Sequence, residues 1–152
     1  MHELRVLCRV VTYDPATHSV LLVRNRDQKW WCAPGGGWDY TQETILECAK
    51  REALEETGVQ VNIIKLLYVQ TLHIKKQDST WLEQFWLAEP AGSTKVPQGH
   101  IDQHGVVDEA HWFSKEEVRT ITVYPEILKT IFWDVVAGVI QEKNRYLGHF
   151  VL

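Results

Sequence analysis

The run from Gly37 to Val59, GWDYTQETILECAKREALEETGV, restricts what this chain can become more than any other segment. Residues from about Thr41 to Thr57 are good helix formers, Thr41 suits an N-cap, and Gly58 stands where a helix would stop. An α-helix turns once in about 3.6 residues, so Glu52, Glu55 and Glu56 fall on one face. Like charges at that spacing cost a few tenths of a kcal/mol per pair, so something should offset them. The bland reading of such a helix is a solvated face, because charge runs are usually surface. Leu46, Ala49 and Ala53 form an expected apolar stripe beside the glutamates, which would place the carboxylates at the border of the core. Arg51 lies about two turns after Glu43, where a two-point ion pair would fix the helix start; as a surface pair it would contribute little.

A hard divalent cation is the natural compensation for three clustered carboxylates. Mg²⁺ or Mn²⁺ prefers oxygen ligands and commonly binds through a few carboxylates together with the phosphates of its substrate.

The rest of the chain supplies a setting for this helix. Leu4 to Tyr13 and Val20 to Arg24 read as strands separated by the turn formers Asp14 to Ser19. Trp30 to Gly37, with Pro34 and three glycines, reads as a loop. Val59 to Ile74 and Trp81 to Ala88 read as a long hairpin around the polar Lys75 to Thr80. Glu89 to Gly105 is the longest candidate loop, and such loops often carry ligand contacts. Val106 to Phe113 reads as a short strand, and Ser114 to Glu117 as a capping box. From about Tyr124 to Lys143, the residues Ile127, Leu128, Ile131, Val135, Val139 and Ile140 recur at helical spacing, which predicts one long helix packed on a sheet.

Length and composition narrow the class. The 152 residues suit a single domain, 1–152, and 45% hydrophobic with 24% charged residues is the balance of a globular protein with a real core. A net charge of −4 supplies no basic field for a nucleic-acid polymer, although a small phosphorylated ligand remains compatible if a metal brings positive charge. Cys8, Cys32 and Cys48 match neither a disulfide framework nor a zinc pattern, so a reducing cytoplasm is the expected location. No run approaches the roughly 20 apolar residues of a membrane span, so no membrane partner is expected. A homodimer is left open.

The segment Gly37 to Val59 resembles the Nudix box, G-x5-E-x7-R-E-U-x-E-E-x-G-U with U aliphatic, and all of its fixed letters are present. Two departures are visible: the first U position holds the small Ala53, and the linker Trp38 to Gln42 lacks the glycine that members often carry there. The resemblance implies an α/β (α+β) fold with a Nudix-like mixed β-sheet sandwiched between helices. It also implies a metal-dependent hydrolase, a nucleotide pyrophosphatase that cleaves the pyrophosphate bond of a nucleoside diphosphate derivative or nucleoside triphosphate. Glu55 and Glu56 would be the principal Mg²⁺ (or Mn²⁺) ligands, with Glu52 a further ligand or the base that deprotonates water. The carbonyl of Gly36 or Gly37 would add a ligand, and Arg51 would complete the catalytic set. The competing reading of either glycine is a tight turn.

Other residues are weaker candidates. Glu109 is a second candidate base, against a surface reading. Arg24, Arg26 and Lys29 are candidates for substrate phosphates, against solvated strand ends. Trp30, Trp31, Trp81 and Trp86 invite base stacking, Trp31 being the expected substrate contact, although most of the seven tryptophans belong in a core. His100 and His104 would gate the site or act as acid or base, against a loop that merely carries surface histidines. Two other functions remain: a Nudix-fold ligand-binding module without catalysis, and a prenyl-diphosphate isomerase, which would need a cysteine such as Cys32 and an acid facing an apolar pocket.

Overall fold

A computed structural model describes residues 1–100, 102 and 104–152. Its elements are β1 (Glu3–Asp14), β2 (Ser19–Asn25), β3 (Trp31–Cys32), β4 (Gly35–Gly37), α1 (Ile45–Thr57), β5 (Val61–Ile74), β6 (Ser79–Pro90), β7 (Val107–Ser114), α2 (Lys115–Val118), β8 (Val123–Tyr124), α3 (Phe132–Val136) and β9 (Tyr146–Val151). The strands join one curled mixed sheet in the order β8-β3-β2-β1-β6-β5-β9, with β4 added to β1 and β7 to β2. The expected fold class is therefore the observed one.

One feature of this sheet creates the site. The end of β1 pairs with β2, Thr12 opposite Leu21, whereas its middle pairs with β4, Leu7 opposite Gly37 and Arg9 opposite Gly35. The sheet thus splits along β1, and a cleft opens between β4 and the diverging ends of β2 and β3.

Cores form on both faces of the sheet. On one, Cys48, Ala49 and Ala53 of α1 pack on Cys8, Val10, Leu21 and Ala88. On the other, Val11, Val20, Leu22, Tyr68 and Phe85 pack against Val118, Leu128, Phe132 and Trp133. Alternation along β1 and β2 sends successive residues to opposite faces, so both strands read as nearly continuous apolar runs.

Four expectations are corrected. The helix is capped by Thr44 rather than Thr41, because Thr44 and Glu47 form a reciprocal capping box: Glu47 N–H donates to Thr44 Oγ1 at 3.2 Å and Thr44 N–H to Glu47 Oε2 at 2.9 Å. Leu46 is 45% exposed, and Cys48 takes its expected place against the sheet. Trp30 to Gly37 contains two short strands where a loop was expected. A Cβ on Gly35 would stand 2.2 Å from the Cys8 carbonyl oxygen, so the glycines let β4 approach β1. The long helix over Tyr124 to Lys143 is absent. A 3₁₀ turn (Glu126–Lys129) is followed by a break at Thr130 (φ −129°, ψ −107°), and α3 runs out at Gly138 (φ +73°), where the left-handed backbone favours glycine. Within the expected loop Glu89 to Gly105, Ile101 and Gln103 lie outside the described residues.

Candidate active site

α1 delivers its acidic face to the cleft because both of its ends are fixed. Gly58 ends it at φ +73°, its N–H donating to Leu54 O at 2.8 Å. Pro97 and His100 close over that end, and a Cβ on Gly58 would stand 2.6 Å from Pro97. His100 Nε2 donates to the Glu55 carbonyl at 2.7 Å, tying the following loop to the helix. Further along that loop, buried Asp102 accepts the N–H groups of Val106 and Val107 at 3.1 and 3.2 Å.

Arg51 organises the carboxylates. Its Nε and Nη2 donate to the two oxygens of Glu43 at 2.8 and 2.7 Å, and its Nη1 donates to Glu52 at 2.8 Å and Glu55 at 3.2 Å. The Arg51 hydrogen bonds hold the Glu43 carboxyl below its usual range, and Glu43 in turn keeps the guanidinium charged. Glu52 is 7% exposed, and burial raises its pKa although Arg51 opposes this. Its carboxylate lies against Gly36, where a Cβ would stand 2.6 Å from Oε1. Glu56 accepts the Gly35 N–H at 3.0 Å, and burial pushes its pKa up to about 8 against the pull of Arg9.

Glu52, Glu56, Arg51 and Gly37 border a cavity of about 660 Å³, together with Arg5, Arg9, Val23, Asn25, Cys32, Asp102 and His104. Arg9 is a half-buried cation of this cavity. Its Nε donates to Glu83 Oε1 at 2.8 Å, and Gln70 Nε2 donates to the other oxygen of Glu83 at 2.6 Å. Burial alone would lower the Arg9 pKa, and Glu83 more than reverses it, so the charge is retained. Cys32 faces the same space, its thiol pushed up to about 11 by burial.

Other sequence candidates lie elsewhere. Glu55 is held by Arg51 at the cavity's edge, with His104 Nε2 3.8 Å from it. Arg24 donates to Glu109 at 2.8 Å and lies over the Trp31 ring, 5.4 Å from its centroid. Trp31 packs edge to face on Phe113 at 4.7 Å. This trio occupies the sheet face away from α1, and the structure does not bring it together with the glutamates. Arg26 is exposed at the end of β2. Sequence reasoning missed Arg5, Arg9, Asn25 and Asp102. The signal for the first two was present: Arg5, Leu7 and Arg9 alternate on the face of β1 that also carries Val11 and Tyr13, and cations on a core-facing row of a strand call for a reason.

The donor set suits a hard cation. Among the described residues no three acidic, histidine or cysteine side chains already converge on one point; Arg51 holds Glu52 and Glu55, while Gly35 holds Glu56. All three donors are carboxylates on one helix face, and burial disfavours the charged form of both Glu52 and Glu56. A divalent ion would supply the missing positive charge there.

Comparisons with known proteins bear on the same segment. A family model described as the NUDIX domain matches residues 3–141. The 8-oxo-dGDP phosphatase NUDT18 of Danio rerio is 31% identical over 86 residues, which cover 57% of this chain and 24% of that protein. The NAD-capped RNA hydrolase ndx-9 of Caenorhabditis elegans is 26% identical over 127 residues, covering 78% of this chain and 31% of that one. The chain therefore spans about a quarter to a third of the length of these relatives. Among solved structures, a NUDIX hydrolase from Nitrosomonas europaea superposes with a TM-score of 0.71 at 18% identity, covering 100% of this chain and 81% of that one, a likeness of fold.

Proposed function

Because the chain belongs to the Nudix hydrolase family, whose model spans residues 3–141, we propose that it is a Mg²⁺-dependent (or Mn²⁺-dependent) diphosphatase acting on a nucleoside diphosphate derivative or a nucleoside triphosphate. The observation that carries this reading is the opposition within one cavity of two glutamates, buried Glu52 and half-buried Glu56, and a half-buried arginine, Arg9. A cation-binding wall faces an anion-binding wall, which is what a metal-bridged phosphate requires.

Glu52, Glu55, Glu56 and the Gly37 carbonyl are the groups that would hold the ion. Bound there, the ion neutralises charge on the phosphate oxygens and makes water more acidic. Arg51 keeps Glu52 and Glu55 in register with Glu43, and Arg9 and Arg5 draw the diphosphate into the cleft. Water attacks one phosphorus, the bond from that phosphorus to the bridging oxygen breaks, and Glu52 takes the proton that the water loses. Glu109, the second candidate base, is paired with Arg24 on the sheet face away from α1 and takes no part in this step.

The relatives' names, a phosphatase of 8-oxo-dGDP and a hydrolase of NAD-capped RNA, favour a nucleotide. A cavity of about 660 Å³ suits a ligand of that size. The isomerase alternative called for an apolar pocket in front of Cys32, whereas Arg5, Arg9, Arg51 and the glutamates line this one. No helix among the described residues is long and apolar enough to cross a membrane. The three free cysteines support a cytoplasmic site of action. Phosphate release from a panel of nucleoside di- and triphosphates, with and without Mg²⁺, tests the proposal. Metal-dependent cleavage of at least one member is expected, and inertness across the panel contradicts it.

A further inference from the structure

Beyond the phosphate chemistry lies the question of what holds the other half of the substrate. Val23, Cys32 and Tyr124 are register partners across β2, β3 and β8. Side chains of register partners project from the same face of a sheet. Val23 and Cys32 line the cavity. Trp31 and Val123, each one residue before a member of this row, project the opposite way and pack in the core with Phe113. Tyr124 therefore stands on the cavity side, one strand further out than Cys32. Trp30 meets it edge to face, with ring centroids 6.1 Å apart and planes at 86°. Both rings are open to solvent, Trp30 39% exposed and Tyr124 49%.

We propose that Trp30 and Tyr124 form the seat of the substrate's nucleobase. This rests on the nucleotide-hydrolase reading and assigns the substrate class of the same site. The row from Val23 to Tyr124 crosses two strand spacings, about 10 Å, so a ligand with its diphosphate over Arg9 lays its far end on the aromatic pair. Every base has a π-face that an exposed aromatic ring can cover, whereas an aliphatic or sugar end gains much less there. The charged inner cavity and the aromatic outer ledge thus match the two ends of a nucleotide. Trp31, the tryptophan that the sequence alone favoured, is instead spent on packing against Phe113.

The test is a selectivity ratio: kcat/KM for the best-cleaved of ADP, GDP, CDP and UDP, divided by kcat/KM for ribose 5-diphosphate, which lacks only the base. In Trp30→Ala and Tyr124→Ala this ratio should fall between about 5- and 100-fold, mainly through KM for the nucleotide, as expected for a lost base stack. Trp30→Phe should restore most of it. A misfolded variant would lose both activities and leave the ratio unmoved. An unchanged ratio with nucleotide cleavage intact overturns the seat and leaves the hydrolase reading standing. Should the wild-type protein cleave no nucleoside di- or triphosphate, the hydrolase reading fails separately, and tryptophan fluorescence decides the seat. Quenching by AMP that disappears in Trp30→Phe supports it; quenching that persists there, or is absent from the wild type, overturns it.

Discussion

Arg51 grips Glu43 at two points, Nε to one carboxylate oxygen at 2.8 Å and Nη2 to the other at 2.7 Å, across the start of α1. The same guanidinium reaches Glu52 and Glu55 through Nη1. One side chain thereby fixes where the helix begins and orients two carboxylates that would hold metal. Arg51→Ala leaves Glu43 and Glu52 poorly compensated, and should cost about 2 kcal/mol in urea unfolding of the metal-free protein; a buried pair would cost more, but Arg51 is 34% exposed. Arg51→Lys keeps the charge and loses the fork, so it should fall between the two. A lysine variant as stable as the wild type would show that the fork geometry is dispensable.

Gly36 is constrained by Glu52 more than by its own backbone. A methyl group there would meet the Glu52 carboxylate at 2.6 to 2.8 Å, and that carboxylate is also held by Arg51. Gly36→Ala should therefore displace Glu52 and reduce kcat/KM by at least about tenfold with the circular-dichroism spectrum unchanged. Wild-type activity in this variant would mean that the position of Glu52 does not matter.

Much of this site is legible in the sequence because its geometry is local. The spacing of Glu52, Glu55 and Glu56, the reach from Arg51 to Glu43 and the stop at Gly58 all follow from the helical period within one element. The N-cap lies at Thr44 rather than Thr41 because both threonines can cap but only Thr44 has a glutamate three residues on, Glu47, to complete a capping box. What was not legible depends on strand pairing. Arg9 finds Glu83 through the parallel pairing of β1 with β6, in which Arg9 lies opposite Phe85. Nothing near Arg9 in sequence announces that partner. The faces of Arg24, Trp31 and Glu109 likewise follow from the registers of β2 with β3 and β7, where Arg24 lies opposite Glu109.

The expected helix over Tyr124 to Lys143 failed for a different reason. Its apolar spacing is real, but Thr130 and Gly138 break the backbone, and packing retains only part of the stripe. Leu128 of the stripe is fully buried, as is Phe132 outside it, whereas Val139 is 71% exposed. Phe132→Ala should cost about 3–5 kcal/mol in urea unfolding. Val139→Ala should change stability by less than about 0.5 kcal/mol. Equal losses at the two positions would restore the continuous helix.

Cys32 has a reactivity set by the cavity that it lines. Burial raises its thiol pKa to about 11, so at pH 8 only about one part in a thousand is thiolate. The thiolate population, and with it the alkylation rate, should climb as pH rises toward 11. Peptide mapping after iodoacetamide treatment should find Cys32 modified at least about tenfold more slowly than free cysteine at pH 8. Modification as fast as free cysteine would contradict the half-buried, neutral thiol.

Phosphate release by Glu56→Gln, measured in Mg²⁺ on whichever nucleotide the wild type cleaves best, tests most directly whether the acidic face of α1 drives hydrolysis. The variant keeps the volume of the side chain and removes its charge. Activity should fall at least about 100-fold while the unfolding transition remains cooperative and native-like. Full activity in a folded Glu56→Gln protein would contradict a metal-dependent hydrolase centred on this helix.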